Sequence, residues 1–191
     1  MDAIQKSLLE QIAGLHEVPA GAYNFRVNGQ AAGRSTTANI DIVTKEDKPG
    51  IDIIIKPGTK NESVHIPVIL SATGLKDLVY NDFYIGEGSD VTIVAGCGIH
   101  NGGDADSSHD GIHTFHIGKN ARVRYVEKHY GEGDGMGKRV MNPTSALVST
   151  AERFLVRIAA HAGQNLPYLI GSPHLSHGIY CPEPSGISIL P

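Results

Sequence analysis

A short pattern that occurs twice between Val79 and Glu132 is the feature that most constrains the fold of this chain. The first copy begins at Tyr84 with the letters YIGEGSDVTIVA, and the second begins at His116 with HIGKNARVRYVE. In each copy a strand-like run meets a corner of glycine or asparagine, residues that tolerate positive φ, and a second alternating run follows. A repeated strand, corner and strand predicts a coil of a β-solenoid, in which each coil covers the apolar face of its neighbour.

Alternation along these runs predicts which side chains face the interior. Two sets are predicted to share the inner face of equivalent strands: Val91, Ile93, Ala95 and Cys97 in the first copy, and Val123, Tyr125 and Glu127 in the second. The same rule puts His113 on the face of Phe115 and Ile117, and His116 on the opposite face with Thr114. His113 and His116 are therefore not expected to bind one ion together.

Composition limits the class of protein. The 191 residues suit one domain with a substantial core. The net charge of -4 argues against nucleic acid or an anionic membrane as the main partner. No apolar h-region is evident at the N-terminus, and no apolar run is long enough to span a bilayer. The two cysteines, Cys97 and Cys181, make no disulfide framework, so a reduced, cytoplasmic setting is expected.

The chain divides into three predicted segments. Residues 1–20 contain an amphipathic helix, because apolar residues recur at helical spacing between positions 2 and 16. Residues 21–143 alternate as strands, with a tight turn expected at Asn28-Gly29. After Pro143 the charge and the strand pattern are lost, and the tail, 144–191, is predicted to hold a helix over 145–162 followed by irregular structure.

Most residues that could carry chemistry lie in the repeated region. Six potential ligands fall between positions 97 and 129: Cys97, His100, His109, His113, His116 and His129. Thiolate and imidazole suit a transition metal or an iron–sulfur cluster, although the spacing fits no compact zinc motif. His100 and His109 flank the loop GGDADSS and, with Cys97, form the preferred cluster. His113 is either a core residue beside Phe115 or a third metal ligand with Cys97 and His109.

Cys97 has two interpretations from its position alone. Because it continues an apolar strand face, it suits the role of a small buried hydrophobe. A functional thiol would instead require access and a lowered pKa. Periodicity favours the first interpretation, and a family resemblance favours the second.

That resemblance is carried by three motifs: GCGIH at 96–100, the histidine at 109, and GKNARVRYVEKHY at 118–130. Together they resemble the core domain of the SufB/SufD family, the scaffold components of a bacterial and archaeal iron–sulfur cluster assembly system. The similarity covers 79–132, extends loosely back through IPVILSATG at 66–74 and the N-terminal helix, and stops near Pro143. The resemblance implies a transient iron–sulfur cluster bound through Cys97 with His100 or His109, and no turnover chemistry.

The expected architecture is mainly β: a truncated right-handed parallel β-helix with an N-terminal helix and a helical or irregular C-terminal appendage. The resemblance implies a SufC-like ABC ATPase or a SufB-like subunit as partner, and open strand edges favour a homodimer or heterodimer. In the family, the residues essential for cluster assembly and the helices that contact the ATPase lie in a later part, to which nothing after Pro143 is similar. Either the chain is a natural short member with a different end, or its coding sequence leaves the original frame near residues 141–144.

A second hypothesis belongs to a different class. A cupin-like β metalloenzyme, or a metal-binding protein, would use the imidazoles of His109, His113 and His116. Such sites usually take an H-x-H pair from one strand, whereas this chain has H-x-x-H at 113–116. A third hypothesis assigns the histidines a structural role only, in a domain that mediates assembly.

Overall fold

The structure is a computed structural model that describes residues 1–15 and 19–148, together with the backbone of three later strands at 155–162, 179–183 and 186–190. Strands make up most of the described residues, and they form a β-solenoid of about three turns preceded by an N-terminal helix. The predicted fold class, mainly β with stacked coils, is therefore confirmed.

The elements follow one another along the solenoid axis. The helix is α1 (Ala3–Ala13). The strands are β1 (Ala22–Val27), β2 (Gln30–Ser35), β3 (Ile40–Thr44), β4 (Gly50–Ile55), β5 (Lys60–Leu70), β6 (Lys76–Ile85), β7 (Asp90–His100), β8 (Ser107–Ile117), β9 (Arg122–Glu132), β10 (Arg139–Met141), β11 (Thr144–Val148), β12 (Leu155–Ala162), β13 (Ile179–Glu183) and β14 (Gly186–Leu190).

Two sheets form the walls of the solenoid, and the chain passes from one to the other at each corner. One wall contains the parallel neighbours β5, β7, β9 and β12, and the other contains the parallel neighbours β4, β6 and β8, with β10 and β11 beyond. Antiparallel hairpins, β1 with β2 and β3 with β4, form the first end. The β1–β2 hairpin turns at Asn28 (φ 50°) and Gly29 (φ 76°), as the sequence predicted.

The repeat seen in the sequence is the register of the coils. Tyr84 pairs with His116 across β6 and β8, and Val91 pairs with Val123 across β7 and β9, so equivalent positions of the two copies lie one coil apart. Side chains at equivalent positions consequently stack along the solenoid axis. Equivalent residues of the two sequence copies are therefore neighbours in space, on adjacent coils.

The two corner residues of each coil have different reasons for their identity. Gly88 (φ 66°) and Asn120 (φ 57°) adopt the left-handed region, as predicted. Gly118 does not; a Cβ there would lie 2.6 Å from Glu87 N and 2.8 Å from Ile85 O of the coil before. Gly86 likewise leaves room for the backbone of Pro57. These two glycines are needed because successive corners stack in close contact.

The interior of the solenoid is apolar near these corners. Phe83 stacks on Phe115 with ring centroids 4.6 Å apart, and Tyr125 meets the Phe115 ring edge-on at 5.1 Å. All three rings are fully buried, and they belong to one cluster with isoleucines and valines from β3 to β9. Burial of such rings is among the larger apolar contributions to stability.

Helix α1 packs against the outside of the β5–β7–β9 sheet. Its N-cap is Asp2, whose side chain accepts from Gln5 N in a capping box, and it ends at Gly14 in the left-handed conformation (φ 64°). Leu8 faces Gly98, where a Cβ would lie 3.0 Å from the Leu8 Cβ. Glycine on the sheet thus allows the helix to approach closely.

The helix predicted over 145–162 is wrong for the residues that the structure describes. β11 (Thr144–Val148) and β12 (Leu155–Ala162) are strands that pair in parallel with β8 and β9. The apolar residues of this segment fit either a helical or a strand period. The free edges of β8 and β9 carry unpaired backbone groups, which added strands can satisfy and a helix cannot. The pairing therefore continues beyond the predicted boundary at Pro143. The irregular structure predicted after residue 162 falls largely outside the described residues.

Candidate functional site

The interior becomes polar at the far end of the third coil, away from the aromatic stack. Strand alternation points His109 and His113 inward from β8, and Glu127 and His129 inward from β9. These four side chains are nearly inaccessible, with exposed fractions of 6%, 4%, 6% and 5% respectively. We call them the interior quartet. Charged and polar side chains are rarely buried to this extent unless they are paired or bind a ligand.

Glu127 lies between two imidazoles. Its Oε1 is 3.7 Å from His113 Nε2 and 3.5 Å from His129 Nε2. Burial acts to raise the pKa of Glu127, but His129 and His113 outweigh it, so the pKa lies below its usual value. Burial lowers the pKa of His113 to about 4, an effect that Glu127 only partly offsets. At neutral pH the site therefore contains a buried carboxylate beside a neutral His113.

A hydrogen-bonded chain fixes the orientation of His109. Its Nδ1 lies 3.0 Å from Asp77 Oδ2, and Asp77 Oδ1 accepts from the Arg26 guanidinium at 2.8 Å. Burial acts to raise the pKa of Asp77, but His109 and Arg26 outweigh it and lower the pKa. Because a carboxylate only accepts, Nδ1 of His109 carries a proton, and Nε2 is turned to the interior over Gly111.

Cys97 lies one coil before the quartet, on the inward face of β7. Its side chain is 1% exposed and packs with Val68, Leu70 and Ile99. In the next strand the register places His129 beside Cys97. Burial raises the pKa of the Cys97 thiol well above its usual value, and nearby carboxylates add to this effect. The resting group is therefore a protonated thiol in an aliphatic environment.

Two of the predicted site residues lie on the outside of the solenoid. His100 ends β7, and its Nδ1 is 3.4 Å from Glu132 Oε1. His116 lies on the outer face of β8, where its ring stacks on Tyr84 at 4.5 Å and its Nε2 meets Asp82 at 3.3 Å. The predicted opposition of His113 and His116 is confirmed by the burial pattern of β8.

The structure consequently brings together a different set from those predicted. The cluster of Cys97, His100 and His109 is not formed, because His100 faces outward and His109 is on the other wall, bonded to Asp77. The set of His109, His113 and His116 is divided between two faces. Within the part of the chain that the structure describes, no three His, Cys, Asp or Glu side chains are gathered closely enough to hold a metal ion as they stand.

Glu127 is not among the six potential ligands that the sequence indicates, and His129 belongs to none of the predicted clusters, although the signal is present. Alternation predicts Glu127 on the inner face, and His129 lies two residues further along the same strand. Polar residues at successive inward positions of a strand contradict an apolar core, and that contradiction is a sign of a buried site. The repeat also aligns His129 with Cys97, which occupies the equivalent position of the preceding coil.

Comparison of the chain with family models, curated proteins and solved structures finds no match. Within the described residues, no helix has the length and apolar character required to cross a membrane.

Proposed function

We propose that this chain is a scaffold or accessory component of iron–sulfur cluster assembly, of the SufB/SufD type, without turnover chemistry of its own. Three observations support the proposal: the sequence resemblance over 79–132, a fold of stacked parallel coils such as the resemblance implies, and the position of the thiol in that segment. The observation that carries it is the side-by-side placement of Cys97 and His129 on adjacent inward-facing strands.

Cys97 is proposed to ligate the cluster, or to accept sulfane sulfur from the persulfide of a donor protein, whose own thiolate is the leaving group. Its raised pKa means that the thiol must lose a proton before it can act, since the thiolate is the nucleophile and the metal ligand. The imidazole of His129, which the register places beside it, is suited to take that proton. His100 and His109 were the expected assistants, and the geometry favours His129 in their place.

The proposed partner is a SufC-like ABC ATPase or a SufB-like subunit, and this rests on the resemblance alone. Among the described strands, β3 (Ile40–Thr44) pairs with β4 alone. This open edge offers backbone groups to a second chain and supports association as a dimer. No observation on the described residues favours the cupin-like enzyme, because its three histidines do not share a face.

Anaerobic reconstitution of the full chain with iron and sulfide, followed by visible absorption, tests the role of the thiol. We expect Cys97→Ser to lose most of the cluster absorption. Cys181→Ser is the matched control, since it removes the other thiol of the chain, and should retain the absorption. Unchanged cluster content in the Cys97 variant would exclude this thiol from the mechanism.

A further inference from the structure

We propose that the interior quartet binds one divalent first-row transition-metal ion through His109, His113, Glu127 and His129. The site does not include the thiol of Cys97. It shares His129 with the role proposed above, because the register places His129 beside Cys97, but metal binding does not require that role. Three imidazoles and one carboxylate are a donor set suited to Zn²⁺, Fe²⁺ or Co²⁺.

The four side chains enter the interior from facing walls. His109 and His113 come from β8, and Glu127 and His129 come from β9, so the donors line the interior from opposite sides. The separations of Glu127 Oε1 from His113 Nε2 and His129 Nε2, 3.7 and 3.5 Å, are longer than a good hydrogen bond. Two ligands of one tetrahedral ion with bonds of roughly 2.0–2.1 Å are separated by roughly 3.3 Å, close to the observed values.

Gly111 marks the position of convergence on the β8 wall. A Cβ on this residue would lie 2.9 Å from His113 Nε2 and 3.4 Å from His109 Nε2. Both nitrogens therefore face the same small space over a residue that has no side chain. An inward glycine between two inward histidines leaves this space open for an ion.

The protein itself leaves part of the quartet without hydrogen bonds. Nε2 of His129, which faces Glu127, is fully buried and has no hydrogen-bond partner among the described residues. Nδ1 of His113 and Nδ1 of His129 also lack a partner there, but an ion bound at Nε2 would not reach them. Buried polar atoms without partners are uncommon and point to an ion or an ordered water. A buried carboxylate such as Glu127 also requires a compensating positive charge, which a divalent ion would supply.

A carboxylate holds the ring of His109 from behind. A ligating histidine commonly donates its other ring nitrogen to a carboxylate, which fixes the ring and makes the ligating nitrogen more basic. The Arg26–Asp77–His109 chain has this form, with Nδ1 bonded to Asp77 and Nε2 turned to the interior. The side chains are not yet at metal-bonding distance. Attraction to the ion would close the gaps of a few tenths of an ångström that separate Glu127 from His113 and His129.

Titration of the full chain with Co²⁺, after treatment with a chelator, tests this site. We expect one Co²⁺ per chain, with visible absorption bands of a low-coordinate ion. His113→Asn, Glu127→Gln and His129→Asn should each weaken binding by at least about tenfold, since each removes one donor. His116→Asn is the matched control: it changes a histidine of the same strand that faces outward, and binding should be unchanged.

Two further variants guard against loss of folding as an explanation. Asp77→Asn removes no donor and should weaken Co²⁺ binding by about 10–100-fold through His109. Gly111→Ala keeps all four donors and should block binding, because its methyl group occupies the space between His109 and His113. Circular dichroism of the metal-free variants verifies that the fold is retained.

The proposal is overturned if the wild-type chain binds no stoichiometric Co²⁺, or if the folded His113 and Glu127 variants bind it as well as the His116 variant does. Cys97→Ser should bind Co²⁺ like the wild type. A failed cluster reconstitution with intact Co²⁺ binding would therefore refute the proposed function alone, and the reverse result would refute this site alone.

Discussion

The carboxylate of Asp82, on the outer surface of the solenoid, pairs with Lys45 and His116. It lies on the outer face of β6, where Oδ2 is 2.7 Å from the Lys45 ammonium and Oδ1 is 3.3 Å from His116 Nε2. Lys45 also pairs with Asp52. Burial acts to raise the pKa of Asp82, but Lys45 and His116 outweigh it, so the pKa lies below its ordinary value of 3.8.

This lowered pKa predicts a pH dependence of stability with a definite sign. A carboxylate that is more acidic in the folded state stabilises the fold above its unfolded pKa, and this contribution is lost as the pH falls through the folded value. Between about pH 5 and about pH 3, we expect the free energy of unfolding to fall less in Asp82→Asn than in the wild type. The difference between the two falls should be roughly 1 kcal/mol or less, because solvent screens the ion pair.

Urea unfolding followed at several pH values measures this difference. Asp104→Asn is the control, since Asp104 is exposed in the loop between β7 and β8. Parallel pH profiles for the wild type and the Asp82 variant would contradict the assignment.

At the scale of single residues, the sequence predicts which face of a strand a side chain occupies better than it predicts which side chains are its neighbours. Alternation placed Cys97, Glu127 and His113 on inner faces, and each is buried. It could not show that His129 rather than His100 neighbours Cys97, because that depends on which strands are adjacent. Two residues close in sequence, Cys97 and His100, are divided by the pleat, whereas the register between coils joins two that are distant.

Helix α1 is the element whose attachment is easiest to test. Leu8 is fully buried against Gly98 on the sheet, whereas Ile4 on the same helix is 39% exposed. We expect Leu8→Ala to lower the free energy of unfolding by about 2–5 kcal/mol, because a buried leucine is lost and a cavity remains. Ile4→Ala, the matched control, should change it by about 0.5 kcal/mol or less.

Urea unfolding gives both values, and amide exchange of residues 3–13 shows whether the helix has detached. Equal effects of the two substitutions would contradict the packing described for α1.

At the scale of elements, local signals predicted the helix, the hairpin and the corners, and failed in the tail. The Asn28-Gly29 turn and the helix caps are determined by a few adjacent residues. β11 and β12 are instead determined by the edges of β8 and β9, to which they add. When the apolar residues of a segment fit both a helical and a strand period, the neighbouring strands decide which structure forms. The sequence of the segment alone does not show which strands those are.

The whole molecule is quasi-one-dimensional, because each coil contacts mainly the coils before and after it. Phe115 belongs to the main interior cluster, and Phe25 belongs to a separate cluster beneath α1. We expect Phe115→Ala to speed amide exchange most in β6, β8 and β9, and Phe25→Ala to do so most in α1 and β1, since local opening follows local contacts.

Hydrogen exchange with peptide resolution measures both patterns in parallel, and each variant is the control for the other. Uniform acceleration across all strands in both variants would show a single cooperative unit instead of stacked coils.

The stacked corners have a consequence for how closely successive coils can lie. Gly118 rests on the peptide of Gly86, and Gly86 rests on that of Pro57, without space for a side chain between successive levels. The vertical spacing of the column is therefore set by bare backbone. A methyl group added at either glycine would tilt one coil away from its neighbour.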